Sequence, residues 1–152
     1  MSREILFKGK RVDNGEWVEG GTYLYDPDLE HVCIGGYDYY KTEDGWQREE
    51  YCCEVDSETV CEYTGLTDKN GRKIFENDIV RFRHGGEFHD KGIWYRNYAI
   101  EYVNTFCTYG LRFRNKSIHF PCKQATISMH DVEVIGNIFD NAELLKGADG
   151  NE

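Results

Sequence analysis

Apolar and polar residues alternate with a period of two in several short runs of the chain, and turn formers separate the runs. That period belongs to half-buried strands, whose successive side chains point to opposite faces. The first clear unit is ILFKGKRVDNGEWVEGGTYLY, where two β-prone runs flank Asn14-Gly15. Asn-Gly supplies the positive φ angles of a tight hairpin turn, so Ile5 to Val12 and Glu16 to Tyr25 are expected to pair as antiparallel strands. The next stretch, DPDLEHVCIGGYDYYKTEDGWQREEY, has weak periodicity and turn formers at Asp26-Pro27 and Gly35-Gly36. It reads as short strands and loops.

A second series starts with a strand candidate at Glu58 to Tyr63, followed by Asn70-Gly71. In KIFENDIV, Ile74 and Phe75 follow that turn, and a bend is expected at Glu76-Asn77-Asp78. Val80 and Phe82 then alternate with Arg81 and Arg83. GIWYRNYAIEYV puts Trp94, Tyr98, Ile100 and Tyr102 on one parity, with Arg96 among them. LRFRNKSIHF sets Leu111 and Phe113 against Arg112 and Arg114. A last strand, DVEVIGNIF, carries Val132, Val134 and Ile138 on one face, and Gly136 suits a bulge. DNAELLKG predicts a short helix capped by Asp140 or Asn141, docked through Leu144 and Leu145 and ended by Gly147. The expected organisation is a hairpin-led acidic unit over 1–62, a small closed β-barrel with a short C-terminal helix over 63–146, and a disordered tail over 147–152.

Composition supports strands and turns: 14% of the 152 residues are aromatic, 39% are hydrophobic, and 16 are glycine. Charge is divided unevenly. Residues 1–65 carry 6 Lys and Arg against 16 Asp and Glu, whereas residues 66–138 carry 11 against 8, within a total of −10. Such asymmetry suggests two units of different electrostatic character. No apolar run approaches the roughly 20 residues that span a bilayer, and MSREILFKGKRVDNGEW lacks the apolar core of a signal peptide. The expected location is therefore the cytoplasm, without a membrane partner, and the six cysteines are expected to be free thiols.

Three blocks, REILFKGKRVDNGEWVEG, TVCEYTGLTDKNGRKIFENDIV and EVIGNIFDNAELL, resemble the YopX-like family of phage and prophage proteins. The resemblance implies an all-β protein whose second part is an SH3-like barrel, with no established biochemical function and no catalytic or ligand residue to carry over. Asn77 stands where that family usually has glycine and Ala142 where it usually has proline. Asn tolerates left-handed backbone and alanine favours helix, so both features should survive.

Candidate chemistry is sparse. GLTDKNGRKIF has glycines at the wrong spacing for a phosphate-binding loop. There is no C-x-x-C pair for zinc, and adjacent Cys52 and Cys53 point to opposite faces of a strand. Cys33, Cys61, Cys107 and Cys122 read as small core residues. HGGEFHD gathers His84, Glu87, His89 and Asp90, which read as an ordinary flexible surface loop. Cys107 or Cys122 with His119 or His130 has no local catalytic signature. Neither a metal, a cofactor nor a catalytic residue is assigned.

The residues singled out for partner or nucleic-acid contact are Arg81, Arg83, Arg112 and Arg114, with Trp94 as a stacking platform. The net charge of −10 opposes a polyanion, so the arginines are expected to meet the acidic N-terminal half within the chain or across a subunit boundary. The expected function is that of a non-enzymatic phage or prophage accessory protein acting through protein contacts or as a homo-oligomer. A nucleic-acid-binding module in phage replication or gene regulation is the alternative, and an uncharacterised enzyme the third.

Overall fold

The computed structural model of the chain describes residues 3–28, 30–118 and 122–146. His119, Gly147 and the tail expected over 147–152 lie outside the described residues. The chain divides into two compact units, Met1–Tyr63 and Thr64–Glu152.

In the first unit, β1 (Phe7–Lys10) pairs with β2 (Trp17–Gly20) in antiparallel register, from Phe7 with Gly20 to Lys10 with Trp17. The connection is a four-residue loop closed by Arg11 N–H to Glu16 O and Gly15 N–H to Arg11 O, each 2.9 Å. Within that loop only Gly15 has positive φ, +71°, while Asn14 Oδ1 accepts from the Glu16 N–H at 2.9 Å. The strand expected over Glu16 to Tyr25 breaks at Gly20-Gly21. There β3 (Thr22–Asp26) leaves β1 and pairs with the start of β4 (His31–Thr42). A Cβ on Gly20 would lie 2.1 Å from Gly35 O, so glycine permits the close backbone approach at this corner.

The region read as short strands and loops is one long hairpin. β4 pairs with β5 (Gly45–Val55) from Val32 with Val55 to Thr42 with Gly45. Only its base is covered: Val32, Ile34 and Val55 are buried, with Phe7, Val18 and Val60 packed around them. A 3-10 turn, Ser57–Thr59, then leads into β6 (Cys61–Thr67), whose first residues pair with β1.

In the second unit, the end of β6 turns through Asp68–Gly71 into β7 (Lys73–Phe75). Asp68 is buried, and its carboxylate accepts from the N–H groups of Asn70 and Arg72, each 2.9 Å, and of Val134 at 3.0 Å. Those are the donors that a phosphate would need, so this turn is a structural clamp. Asn77 makes the bend before β8 (Asp78–Gly85) with φ +67°, the left-handed geometry that asparagine tolerates.

From there β8, β9 (Ile93–Val103), β10 (Thr108–Phe113) and β11 (Lys116–Ile118) form an antiparallel meander. After α1 (Gln124–Met129), β12 (Glu133–Asn137) returns to pair with β8, with a bulge between Val134 and Gly136. The sheet order is β11-β10-β9-β8-β12. Its edge strands β11 and β12 do not pair with each other among the described residues, so the sheet is open, unlike the closed barrel expected downstream of Gly65. Instead of further strand, α1 lies between the two edge strands in sequence. Gln124 exchanges two hydrogen bonds with the Thr67 backbone, His130 exchanges two with Arg83, and Ile127 is buried in the core.

The core face of this sheet carries Val80, Phe82, Tyr98, Ile100, Leu111 and Val134, together with Ile74 and Val132. The predicted C-terminal helix is one 3-10 turn, Ala142–Leu145, and no side-chain bond caps it at Asn141. Asn141 Oδ1 instead accepts from the Asn137 N–H at 3.3 Å, and Asp140 is held by Asn137 Nδ2 at 3.1 Å.

Candidate functional site

Strand alternation and register assign the singled-out residues to faces. Opposite Ile79 lies Ala99, and opposite Ala99 lies Arg112, so Arg81, Arg83 and Arg112 share the face turned away from Val80 and Phe82. Trp94 pairs with His84 on the other face. The structure therefore does not bring Trp94 to the arginines. The aromatic ring beside them is Tyr95, 5.6 Å from the Arg81 guanidinium.

Nor do the arginines act alike. Arg81 is held by Glu133 at 2.9 Å, with Lys69 on the same carboxylate at 3.6 Å, and Arg83 by Asp131 at 2.7 Å. The cations around Glu133, Arg81 foremost, keep its carboxyl below the usual range. These two arginines find carboxylates within their own unit, whereas the charge asymmetry had suggested the acidic half of the chain. Arg112 reaches Glu101 only at 3.8 Å and donates through Nη1 to the Arg114 carbonyl at 2.6 Å. Arg112 and Arg114 line a cleft of about 530 Å³ with Asn115, Ile138, Ala142, Leu145 and Lys146. Asn97 positions its far wall by donating to Leu144 O at 2.9 Å. Ile138 and Leu145 were legible as apolar positions, but nothing in the sequence placed them or Lys146 beside Arg112 and Arg114.

On the opposite face, one end of the sheet gathers rings and cations. His84 stacks on Trp94 with ring centroids 4.2 Å apart and meets the Tyr98 hydroxyl at 3.1 Å. Arg96 lies over both Trp94 and Phe113, at 5.0 and 4.5 Å. Burial, then the nearby charges of His130 and Arg96, push His84 below the ordinary histidine value. Burial raises Tyr98, against the pull of Arg96. His130 Nδ1 donates to Arg83 O at 2.9 Å, which fixes that nitrogen as the protonated one. His84 thus belongs to β8, and not to a flexible loop with Glu87, His89 and Asp90. Among the described residues no three His, Cys, Asp or Glu side chains converge as metal ligands.

The cysteines divide as well. Cys61 and Cys122 are buried, but Cys107, expected in the core, is exposed at a left-handed position, φ +48°. Burial pushes the Cys122 thiol up to about 11, which suits an inert core residue and not a nucleophile.

A second surface belongs to the first unit. Beyond Gly36 the β4–β5 hairpin continues without a third strand among the described residues, and its side chains are exposed on both faces. One face presents Tyr37, Tyr39 and Lys41 from β4 beside Glu50, Arg48 and Trp46 from β5. Tyr39 is 66% exposed and Trp46 72%. Sequence periodicity missed this ribbon because neither face is buried, and burial is what imposes alternation.

These features define an all-β protein of antiparallel sheets with one short α-helix among the described residues. The family model described as YopX protein matches residues 7–146, and the chain belongs to that family. No curated protein matches it. Among solved structures it is similar to protein EF1440 from Enterococcus faecalis, at 23% identity and a TM-score of 0.59, over 95% of this chain and 99% of that one. A likeness at that identity speaks to the fold alone. No helix among the described residues is long and apolar enough to cross a membrane.

Proposed function

We propose that this YopX-family protein is a non-enzymatic accessory protein of a bacteriophage or prophage, and that it works by self-association through the β4–β5 ribbon. The observation that carries this reading is a row of exposed aromatic side chains on a two-stranded ribbon that no other described residue of its unit covers. Large exposed apolar groups in contiguous rows mark interaction surfaces. A second copy fits the face. When two ribbons stack about a two-fold axis along their length, β4 of one lies over β5 of the other. Arg48 then meets Tyr39 and Lys41 meets Trp46, so each cation finds a ring. Arg48 already lies 4.8 Å from the Tyr37 ring in the single chain.

We also read the second unit as SH3-like, on the support that its last strand returns beside β8 after one helical turn. In this reading it is a scaffold, and the location is cytoplasmic. Nucleic-acid binding ranks lower, since Arg81 and Arg83 are already paired and the chain carries −10 overall.

Size exclusion with light scattering tests the reading. The expected result is a dimer with a dissociation constant on the order of 10 μM, the range of a small interface. Trp46→Ala with Tyr39→Ala should give a monomer of unchanged circular dichroism. A wild-type monomer at every concentration, or a double variant that dimerises as well as the wild type, overturns it.

A further inference from the structure

We propose that the base of the β4–β5 ribbon binds zinc between two copies of the chain, through Cys33 and Cys52 of each. The site rests on the ribbon pairing proposed above, because half of its ligands come from the second copy.

Strand register places the thiols. Cys33 lies opposite Glu54 and Cys52 opposite Gly35, so the two cysteines are diagonal neighbours on one face of the hairpin. That face carries Tyr37, Tyr39 and Trp46 further out, and it is turned away from the core of Val32, Ile34 and Val55. Cys52 is exposed, Cys33 is half-buried, and their side chains share a hydrogen bond. Diagonal positions stand about 7 Å apart, whereas a disulfide needs Cβ atoms about 3.8 Å apart. Thiols that meet across the wider spacing suit a bridging metal better than a bond to each other. Two thiolates on one tetrahedral zinc, each about 2.3 Å from the ion, hold their sulfurs about 3.8 Å apart.

The surroundings call for a cation. Burial, then the charge and hydrogen bond of Cys52, then the charges of Glu54 and Cys53, hold the Cys33 thiol above its ordinary value. Each of those neighbours is an anion or becomes one, and His31 lies against Glu54 at 3.5 Å. A metal ion between the thiols relieves that repulsion, and its binding releases the thiol protons to solvent.

One chain supplies too few ligands, since among the described residues no three His, Cys, Asp or Glu side chains converge. A second copy completes the set. With the two-fold axis along the ribbons and β4 of one copy over β5 of the other, Cys52 of the second copy lies over Gly35, which has no side chain to exclude it. The sulfur pairs of the two copies then cross on the axis, one above the other, which is the outline of a tetrahedron. Four thiolates in that geometry are a structural zinc set.

The test uses the full chain, stripped with chelator and then titrated with zinc or with cobalt(II) as a spectroscopic stand-in. One zinc should bind per two chains, and cobalt should give the visible bands of a tetrahedral thiolate site. Sedimentation should show a dimer dissociation constant at least tenfold lower with zinc than with chelator, where the aromatic rows act alone. Cys52→Ser changes an exposed side chain and should abolish all three effects. Cys33→Ser should do the same, and if it fails to fold, Cys52→Ser decides alone. Cys53→Ser alters the opposite face of β5 and should behave as the wild type.

A chain that dimerises in chelator yet takes up no zinc, or takes one zinc per chain, overturns the site and leaves the ribbon pairing standing. Zinc binding retained in Cys52→Ser, or lost in a folded Cys53→Ser, overturns it as well. A chain that is monomeric with and without zinc overturns both.

Discussion

The two units use similar strand chemistry to opposite ends. In the second, each face of the long strands meets something. Val80, Phe82 and Ile100 pack under α1 and β12, while Arg81 and Arg83 on the other face are neutralised by Glu133 and Asp131. In the first, β4 and β5 begin as part of a core at Val32, Ile34 and Val55 and then run out past it with no described residue of their unit packed on either side. Two of the three tryptophans make the contrast sharp. Trp94 is stacked by His84 and crossed by Arg96, whereas Trp46 is 72% exposed at the ribbon tip. A strand pair becomes scaffold or presented surface according to whether a third element covers it, not according to its own composition.

The largest effect should come from removing the clamp of the covered unit. Asp68→Ala leaves the N–H groups of Asn70, Arg72 and Val134 without their acceptor. Of these bonds only the one from Val134 is buried, and a buried donor left unsatisfied costs about 1–3 kcal/mol, so a loss of about 2 kcal/mol is expected in urea denaturation followed by tyrosine and tryptophan fluorescence. Asp68→Asn keeps one acceptor oxygen and should lose less. A wild-type midpoint for Asp68→Ala would mean that the covered unit does not rest on this turn.

That clamp also shows which parts of the fold could be read from sequence. The parity of Val80 and Phe82 against Arg81 and Arg83 was legible because one face is buried, and the bulge near Gly136 and the bend at Asn77 were legible because their backbone demands specific residues. The long β4–β5 hairpin was not. With both faces in solvent its residues have no reason to alternate, and the turn at Glu43-Asp44 lies among further polar residues. Barrel closure was not legible either, because strand parity says which face is buried but not which edges meet. Of the cleft, Arg112 and Arg114 were visible as an alternating pair. Lys146, Ile138 and Leu145 reach it by tertiary placement alone, and Trp94, named as a stacking platform for the arginines, pairs with His84 on the opposite face.

A smaller effect, also confined to the covered unit, is pH dependence from His84. Its folded value lies below the ordinary one because of burial and the neighbouring charges of His130 and Arg96. The unfolded chain therefore takes up the proton first as pH falls. The stabilisation is complete above the ordinary histidine pKa of about 6.5 and is lost as pH drops toward and through the folded value. The urea midpoint of the second unit should fall between about pH 6.5 and 5, above the range where carboxylates begin to contribute. His84→Phe keeps a ring against Trp94 and should flatten that slope. An unchanged slope in the variant would assign the dependence to another group.

The smallest effect on stability is expected where the exposed surface is largest. Joining Tyr37 to Glu50 through Asn-Gly removes the outer ribbon, including Tyr39, Tyr40 and Trp46, and replaces it with a turn suited to a two-residue hairpin. A two-stranded ribbon alone is marginal in water, so its outer pairs add little to the core of Val32, Ile34 and Val55. The shortened chain should unfold within about 0.5 kcal/mol of the full one, as surface changes away from packed features do. Self-association should nevertheless disappear, because the removed residues include most of the aromatic face. A loss above about 1 kcal/mol would make the ribbon a structural element after all and erase the difference between the units. A shortened chain that still dimerises would place the contact elsewhere in the molecule. Stability unchanged and association lost is the one combination in which the uncovered strands serve a partner and the covered ones serve the fold.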